Sequence, residues 1–325
     1  MRVNTLRTTF EQFLERLKET KLIPVSDLEA LKSNQNGYLI DPNIPSLLAF
    51  HPSYPVTTTF AEEYSSGTII LQDKASCIPA CLLAPENGGA ALDACAAPGN
   101  KTTQIAAAVG PKGKVIAVEK DTKRVETLRS MVEKAGASNC TAISLFLKLK
   151  IVTTILNSDF TLLDPNDEQF SDVTHILLDP SCSGSGLLDR LDYDSSQADL
   201  SIRLRGLCTF QTRLLNHALS FPSAQRVVYS TCSHHAEENE RVVKAVLEQT
   251  SGWQVLKREE QPEGLRIWGR RGFAEECSSP EIAEACIRCE KGTDATIGFF
   301  AVAFTRITEL EEDEDEEWQG IPDNV

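Results

Sequence analysis

The chain has 325 residues and a formal net charge of −15, with 41% hydrophobic and 24% charged residues. This composition excludes a globally disordered chain, and the length allows two domains or one large domain with appendages. No apolar run reaches the roughly 20 residues of a membrane helix, and no secretory signal is recognisable, so we expect a soluble intracellular protein without a membrane partner.

The first predicted element is a strand-like stretch at residues 2–6, followed by a helix at residues 10–17 with four apolar side chains on one face. A stretch rich in Pro, Ser and Asn, from about residue 33 to 59, predicts loops with short strands. Residues 1–66 are therefore predicted to form a small α+β unit. Because the chain begins inside a strand, we expect this unit to be part of a larger N-terminal domain.

Strands and helices alternate from residue 67 onwards. Strands that are apolar on both faces are typical of a parallel-dominated sheet covered by helices. We therefore predict an α/β fold over residues 67–308, with a Rossmann-like sheet and helices on both faces. The predicted strands lie at residues 68–71, 90–95, 114–119, 173–179, 226–230, 253–256 and 298–304. The predicted helices lie at residues 74–83, 101–109, 122–135, 200–220 and 236–249.

Residues 141–158 fit this alternation poorly. They contain a strand-like run at 145–152 without turn residues around it. Two interpretations stay open: an extra edge strand, or sequence that does not belong to the fold.

The end of the chain is strongly acidic. From Glu309 onwards there are nine acidic residues and no Lys or Arg, so we expect a solvated, disordered tail over residues 309–325. Without the tail, 38 acidic residues face 32 basic ones, a net charge of −6. This balance argues against a non-specific coat for nucleic acid but permits a local basic groove, because the surface field depends on where the charges lie.

The ten cysteines are expected to be reduced thiols, because the chain is long and carries no secretory signal. One CxxC sequence exists, at Cys286 and Cys289, with Cys277 upstream. A structural zinc site usually takes four ligands from two such pairs. The sequence offers no second pair, so we expect no metal and interpret these residues as loop cysteines.

Ligands of open α/β sheets bind outside the carboxyl ends of the strands. The first strand of the predicted sheet runs into DACAAPGNKT at residues 93–102, where small residues let backbone N–H groups approach a ligand at a helix N-terminus. Glu119 ends the next strand and could accept both hydroxyls of a ribose. Asp159 precedes Phe160, which suits an adenine amino group and ring. This spacing predicts a nucleoside ligand; the alternative is that Glu119 is a solvated acid.

Two further strand ends carry cysteines. LDPSCSGSG at residues 178–186 contains Cys182, and STCS at residues 230–233 contains Cys232. A single buried cysteine is usually a small apolar core residue. Two cysteines at neighbouring strand ends, beside a nucleoside pocket, instead favour a catalytic pair.

These three motifs, in this order and at these separations, resemble those of the Sun-domain (Fmu-like) RNA cytosine-C5 methyltransferases. The GNKT and DPSCSGSG variants resemble Nsun subfamily five, whose members modify large-subunit ribosomal RNA. RVNTL at residues 2–6 and LQDKAS at residues 71–76 also match, so the resemblance covers nearly the whole chain except the acidic tail. Since the family has more sequence before RVNTL, we expect an N-terminally shortened chain.

The resemblance implies a class I methyltransferase fold, S-adenosylmethionine as cofactor, and large-subunit ribosomal RNA or pre-ribosomes as partner. It also implies a monomer in the nucleus and nucleolus. It assigns Cys232 as the nucleophile, Cys182 as the second cysteine that assists release, and Asp179 to the cofactor amine and the target base. The cofactor-binding residues that it implies are Cys95, Ala96, Ala97, Pro98, Gly99, Asn100, Lys101, Glu119 at the ribose, Arg124, Asp159 at the adenine, and Asp179.

This sequence departs from the family pattern at three places. Glu119 stands where Asp is usual, and Asn100 replaces the more common Gly, as in the subfamily. Residues 141–158 are longer than the pattern immediately before Asp159, which affects the adenine contact.

The chemistry explains the residue types. A cysteine thiolate that adds at cytosine C6 makes C5 nucleophilic enough to take a methyl group, and an acid near N3, a role open to Asp179, offsets the charge that develops. The base must leave its stack to reach the pocket. One rival is a catalytically silent RNA-binding or ribosome-assembly scaffold. Another is DNA methylation with Cys182 as nucleophile, which leaves the motif around Cys232 unexplained.

Other polar residues have simpler interpretations. We expect the histidines at 234 and 235 to lie on the surface at a helix start, and the acids at 237, 238 and 240 to lie in the first helical turn, where the macrodipole favours them. A basic cluster beside one aromatic residue is either an RNA-contacting patch or a solvated loop. Its members are Arg266, Trp268, Arg270 and Arg271.

Overall fold

The strand–helix alternation of the sequence produces a large central sheet with helices on both faces. The computed structural model describes residues 1–137, 140–141, 154–187 and 197–307. Within these ranges the central sheet has nine strands, and two smaller sheets lie in the N-terminal part. The prediction of an α/β fold is confirmed. The acidic tail and residues 145–152 lie outside the described ranges.

The N-terminal part is a small α+β arrangement. Its first helix begins at a capping box formed by Thr9 and Gln12 and buries Phe13 and Leu17. The elements are β1 (Arg2–Val3), α1 (Phe10–Lys18), β2 (Ile23–Pro24), α2 (Leu28–Ser33), β3 (Gly37–Ile40), β4 (Leu48–Phe50), α3 (Val56–Thr59), α4 (Ala61–Ser65) and β5 (Ile69–Ile70). Strand β1 pairs antiparallel with β5. The boundary at residue 66 stays a prediction.

The remaining elements follow in chain order. They are α5 (Lys74–Leu83), β6 (Ala90–Asp93), α6 (Asn100–Val109), β7 (Lys114–Glu119), α7 (Thr122–Ala135), β8 (Cys140–Thr141), β9 (Thr154–Asn157), β10 (Val173–Leu178), α8 (Gln197–Leu219), β11 (Arg226–Thr231), α9 (Glu240–Gln249), β12 (Trp253–Val255), α10 (Glu263–Arg266), α11 (Pro280–Ala285), β13 (Ile287–Cys289) and β14 (Phe299–Arg306). Short 3-10 helices lie at Phe160–Leu162, Glu168–Phe170, Ala236–Glu238 and Arg258–Glu260.

The sheet order is β12-β14-β11-β10-β6-β7-β8, with β9 also paired to β7 and β13 to β14. The pairings of β6, β7, β8, β9, β10 and β11 with one another are parallel, whereas β14 runs antiparallel to its neighbours. The carboxyl ends of the parallel strands therefore meet at one edge of the sheet.

The core around the central sheet consists of two layers, one on each face, and a separate buried cluster that includes Phe13 and Phe60 lies in the N-terminal part. Side chains alternate along each strand, so that Leu177 of β10 joins one layer while Ile176 and Leu178 join the other. Helices α5, α6 and α7 contribute to the first layer, and α8 and α9 to the second. This two-sided burial explains why the strands have continuous apolar runs.

The predicted bounds of α5, β7 and α7 agree with the structure. Strand β9 is an extra edge strand at the end of residues 141–158, the segment that fitted the alternation poorly. The helix predicted from residue 236 is wrong at its start, because α9 begins only at Glu240. Asn239 adopts φ −119° and ψ −101°, and its side chain bonds Thr231 and the Ser233 carbonyl. These tertiary contacts interrupt the helix.

The interpretation as loop cysteines is wrong for Cys289, which lies at the end of β13, whereas Cys277 and Cys286 lie outside helices and strands. Cys286 and Cys289 are buried on opposite faces of the sheet. Side chains on opposite faces cannot share one ion. In the part of the chain that the structure describes, no cluster of metal-ligating side chains is present, and no helix there has the length and apolarity to cross a membrane.

His175 makes the fold sensitive to acid. It is buried in β10, and burial, with a smaller effect of Arg226, lowers its pKa to about 4. The unfolded histidine titrates near 6.5, so between these values the unfolded chain binds a proton that the folded chain does not. Stability therefore falls as the pH drops through this window, by about 2 kcal/mol between pH 7 and pH 5.

We predict that His175→Gln loses this part of the pH dependence. Urea unfolding at pH 7 and pH 5 measures it, with His51→Gln in the N-terminal part as the matched control. An equal loss of stability on acidification in wild type and His175→Gln would contradict the prediction.

Candidate active site

Three loops meet at the carboxyl edge of the sheet. Strand β10 pairs in parallel with β6 on one side and β11 on the other. The loops that follow these three strands therefore lie side by side. They begin at residues 94, 179 and 232, and they carry the three motifs singled out in the sequence.

The structure brings the two predicted catalytic cysteines into direct contact. The Sγ atoms of Cys182 and Cys232 lie 3.2 Å apart. The loops that carry them are joined by Gly186, whose N–H donates to the Cys232 carbonyl at 3.0 Å. A Cβ at Gly186 would lie 2.2 Å from the Gly298 carbonyl oxygen, so only glycine allows this approach.

The contact shifts the pKa values of the two thiols in opposite directions. The hydrogen bond with the Cys182 thiol lowers the pKa of Cys232, against burial and the Asp179 carboxylate and with help from the Lys101 ammonium. The same hydrogen bond, together with burial, raises the pKa of Cys182. These opposite directions favour the thiolate at Cys232 over Cys182.

An ion pair lies beside the cysteines. Lys101 Nζ is 2.7 Å from Asp179 Oδ2, and Ser230 Oγ donates to Asp179 Oδ1 at 2.8 Å. Burial opposes the charge on Lys101, but the Asp179 carboxylate outweighs it and raises the pKa of Lys101. Sequence reasoning assigned Lys101 only to the cofactor loop, whereas its side chain points at Asp179.

The loop after β6 has the form expected of a cofactor-binding loop. Gly99 starts α6 with φ +110°, and a Cβ there would lie 3.1 Å from the Leu128 and Met131 side chains. The Oδ1 atom of Asn100 is buried and accepts no hydrogen bond within the described residues. This unused acceptor suits a ligand that carries a donor.

Asp93 and Cys95, at the start of this loop, are both groups whose pKa is raised by burial. Thr102 Oγ1 donates to Asp93 Oδ2 at 2.7 Å, and burial raises the pKa of Asp93 to about 6. Burial and the neighbouring carboxylates raise the pKa of Cys95 well above its usual value. Cys95 is therefore a neutral thiol.

Glu119 is not a solvated acid. Its side chain is 5% exposed, and its Oε1 accepts the Asp121 N–H at 2.9 Å. Its Oε2 accepts the Ala97 N–H at 3.3 Å and lies 3.3 Å from Arg124 Nη1, while Arg124 Nη2 donates to the Ala97 carbonyl at 2.6 Å. Glu119 and Arg124 thus hold the loop after β6 in place through the backbone of Ala97.

The surroundings of Asp159 differ in part from expectation. Asp159 caps a 3-10 helix and bonds Lys120 Nζ at 2.8 Å, which lowers its pKa to about 2. Phe160, expected beside an adenine ring, is instead buried and stacks on Phe221 at 5.7 Å between ring centroids. The expectation is wrong for Phe160 because its ring belongs to the core beneath α8.

Glu238 is a site residue that sequence reasoning missed. It was expected only to favour the first turn of a helix through the macrodipole, but it is fully buried and its carboxylate accepts from Ser183, Ser233 and Gln211. Glu240 is buried as well, in an ion pair with Arg288 at 2.6 Å. The serines beside both cysteines were the available signal, since buried hydroxyls need acceptors.

The basic cluster around Trp268 serves the fold. The Arg271 guanidinium donates to three backbone carbonyls and to Gln261, and the Trp268 indole donates to the Arg288 carbonyl. Arg270 pairs with two acids at 2.8 Å. Trp268 and Arg271 are therefore neither part of an RNA-contacting patch nor part of a solvated loop, so both interpretations are wrong for these two residues. Of the two histidines, the one at 234 is exposed and the one at 235 immediately precedes a 3-10 helix.

The sheet with its cofactor-type loop is the fold of the class I methyltransferases. A crystal structure of a methyltransferase homologue from Pyrococcus horikoshii has a TM-score of 0.69 and 24% identity, covering 94% of this chain and 85% of that one. NSun6 from Pyrococcus horikoshii with SFG has a TM-score of 0.62 and 19% identity, covering 95% and 90%. These likenesses show the fold alone.

Two family models match the sequence. Residues 80–271 match 16S rRNA methyltransferase RsmB/F, and residues 1–72 match the ferredoxin-like domain of NOL1/NOP2/Sun domain family member 5. The chain belongs to the Sun-domain family of S-adenosylmethionine-dependent RNA methyltransferases.

Curated relatives cover almost the whole chain. The 25S rRNA (cytosine-C(5))-methyltransferase rcm1 of Schizosaccharomyces pombe is 44% identical over 92% of this chain and 61% of its own length. The 28S rRNA (cytosine-C(5))-methyltransferase of Mus musculus is 41% identical over 94% and 62%. The 26S rRNA (cytosine-C(5))-methyltransferase nsun-5 of Caenorhabditis elegans is 36% identical over 95% and 68%. The chain thus spans about three fifths of the length of the first two.

The acidity of Cys232 should depend on Cys182. We predict that Cys182→Ala removes the thiol donor, raises the pKa of Cys232 and slows its alkylation at neutral pH, about tenfold for each unit of increase, because only the thiolate reacts. Iodoacetamide labelling across pH, read at the Cys232 peptide by mass spectrometry, measures this. Cys208→Ala on α8 is the matched control. A Cys232 profile equal in both variants would contradict the assignment.

Proposed function

We propose that this chain is an RNA cytosine-C5 methyltransferase that acts on large-subunit ribosomal RNA through a covalent cysteine–cytosine adduct. The observation that carries the proposal is the 3.2 Å contact between Cys182 and Cys232, which lowers the pKa of the Cys232 thiol. A cytosine ring activates its C5 only after a nucleophile adds at C6, and a thiolate both adds and leaves readily.

Cys232 is the proposed nucleophile. Its thiolate forms the bond to C6, and the electron pair released from the C5–C6 double bond moves towards N3. Lys101 bears a proton next to Asp179 and Cys232, so this ion pair is suited to hold the polar edge of the base and to offset the charge that develops there. Cys182 assists the last stage, in which a base takes the C5 proton, the C5–H electron pair re-forms the C5–C6 double bond, and the Cys232–C6 bond breaks to return the thiolate.

The residues around the loop after β6 fit S-adenosylmethionine. Glu119 is suited to the ribose hydroxyls, and the orphaned Asn100 Oδ1 is suited to a donor such as the amine. Arg124 holds the loop, and Asp159 would contact the adenine. The cofactor supplies an electrophilic methyl group on a sulfonium. A neighbour of the same fold was solved with SFG, an analogue of it.

The RNA assignment draws on the relatives, which are named as 25S, 26S or 28S rRNA methyltransferases. The target cytosine must be unstacked to reach a thiolate between three loops, which favours a loop or remodelled region of RNA. We propose that residues 1–66 face the RNA and that the protein works as a monomer on pre-ribosomes in the nucleolus.

Cofactor binding tests the pocket without knowledge of the RNA. We predict that Glu119→Gln weakens S-adenosylmethionine binding about 10- to 100-fold, because hydrogen bonds to a charged acceptor are lost. Titration calorimetry measures this, with Glu126→Gln on the exposed face of α7 as the matched control. No binding by folded wild-type chain would favour the scaffold alternative.

The roles of the cysteines make opposite predictions for RNA adducts. Cys232→Ala should form no covalent adduct with ribosomal RNA, because the attacking atom is gone. Cys182→Ala should accumulate an adduct, because release is slowed. Denaturing gels with labelled RNA measure both, and the reverse pattern would mean that the two roles are exchanged.

A further inference from the structure

We propose that Glu238 is a positioning residue that holds the two cysteine loops in contact; this inference rests on the proposed function of the cysteines. Within the described residues, the Glu238 carboxylate makes no hydrogen bond to either cysteine. It acts through Ser183 and Ser233, the residues that follow Cys182 and Cys232.

The Glu238 carboxylate bridges the two loops with four hydrogen bonds. Oε1 accepts the Ser183 N–H at 2.9 Å and Gln211 Nε2 at 3.0 Å. Oε2 accepts Ser183 Oγ at 2.5 Å and Ser233 Oγ at 2.6 Å. Since one oxygen binds a serine of each loop, the carboxylate fixes the separation of the adjacent cysteines.

The bridge is itself anchored to the sheet and to α8. Tyr229 in β11 donates its hydroxyl to the Glu238 carbonyl at 2.6 Å. Gln211 in α8 also donates to the Ser181 carbonyl at 3.2 Å, one residue before Cys182. The carboxylate therefore cannot shift without moving β11 or α8.

Asn239 braces the second loop independently. Its Oδ1 accepts Thr231 Oγ1 at 2.6 Å, and its Nδ2 donates to the Ser233 carbonyl at 3.0 Å. The turn that carries Cys232 is thus clamped on both sides by consecutive residues, 238 and 239. This clamp explains why the chain leaves helical geometry there.

The energetics favour a positional role over simple packing. Burying a carboxylate is costly, and all four donors here are neutral groups. An apolar side chain would avoid this cost but would remove the acceptor of the Ser183 N–H and leave the two hydroxyls with only neighbouring serine hydroxyls as partners. What the carboxylate adds is a fixed distance between the loops, on which the Cys182–Cys232 contact depends.

The test replaces Glu238 by Gln, which keeps the shape of the side chain. One carboxylate oxygen becomes an NH2 group, which cannot accept the hydrogen bonds that the serines and Gln211 donate. We expect the alkylation profile of Cys232 to move to higher pH, with at least a fivefold slower reaction at pH 7. We also expect kcat for RNA methylation to fall tenfold or more at nearly unchanged KM. S-adenosylmethionine affinity should stay within twofold, because Glu238 does not contact the loop after β6. Glu237→Gln, which changes the adjacent and partly exposed acid, is the matched control.

Two results would overturn the proposal. One is a Glu238→Gln chain that keeps both the wild-type Cys232 profile and wild-type kcat. If this variant fails to fold, the Ser183→Ala, Ser233→Ala double variant decides, because it removes two of the four donors and keeps the carboxylate. The second overturning result is a wild-type alkylation profile of Cys232 in this double variant. Failure of the proposed function is distinguishable, because it would show as no methylation by wild type while the alkylation shift persists.

Discussion

The parallel pairing of β10 with both β6 and β11 is the constraint on which the whole site depends. Parallel strands share one carboxyl edge, so the segments after them must share it too. Asp179 of the middle motif therefore bonds Lys101 of the first motif and Ser230 of the third, although the motifs extend over a separation of 139 residues in sequence, from Asp93 to Cys232. Helices on both faces hold these strands in place, and the loops are left to carry chemistry.

The site solves an electrostatic problem, since it needs a thiolate among carboxylates. Cys95 shows what happens to a thiol without compensation, because burial and the nearby acids raise its pKa well above the usual value and keep it protonated. Cys232 lies near Asp179 as well but has two compensations, the Cys182 thiol donor and the Lys101 ammonium. Acidity at this position therefore depends on neutral hydrogen bonding as much as on positive charge, which makes the placement of Cys182 critical.

Much of the fold and of the site could be predicted from the sequence, for identifiable reasons. Helices α5 and α7 begin after the caps Asp73 and Asp121, and α7 ends at Gly136 in a left-handed conformation, so their bounds are local properties. The contact of the cysteines followed from strand order. Tertiary contacts decided the rest: Phe160 is drawn into the core by aromatic neighbours, and Glu238 is buried because serines from two distant loops need an acceptor.

The central claim, that Cys232 attacks a cytosine at this sheet edge, is tested most directly by a mechanism-based trap. Wild-type chain, S-adenosylmethionine and large-subunit ribosomal RNA containing 5-fluorocytidine would be incubated, and the cross-linked peptide identified by mass spectrometry. Fluorine at C5 cannot leave as a proton does, so the adduct persists on the attacking residue. We predict a cross-link at Cys232. A cross-link at Cys182, or none under conditions where the cofactor binds, would contradict the account.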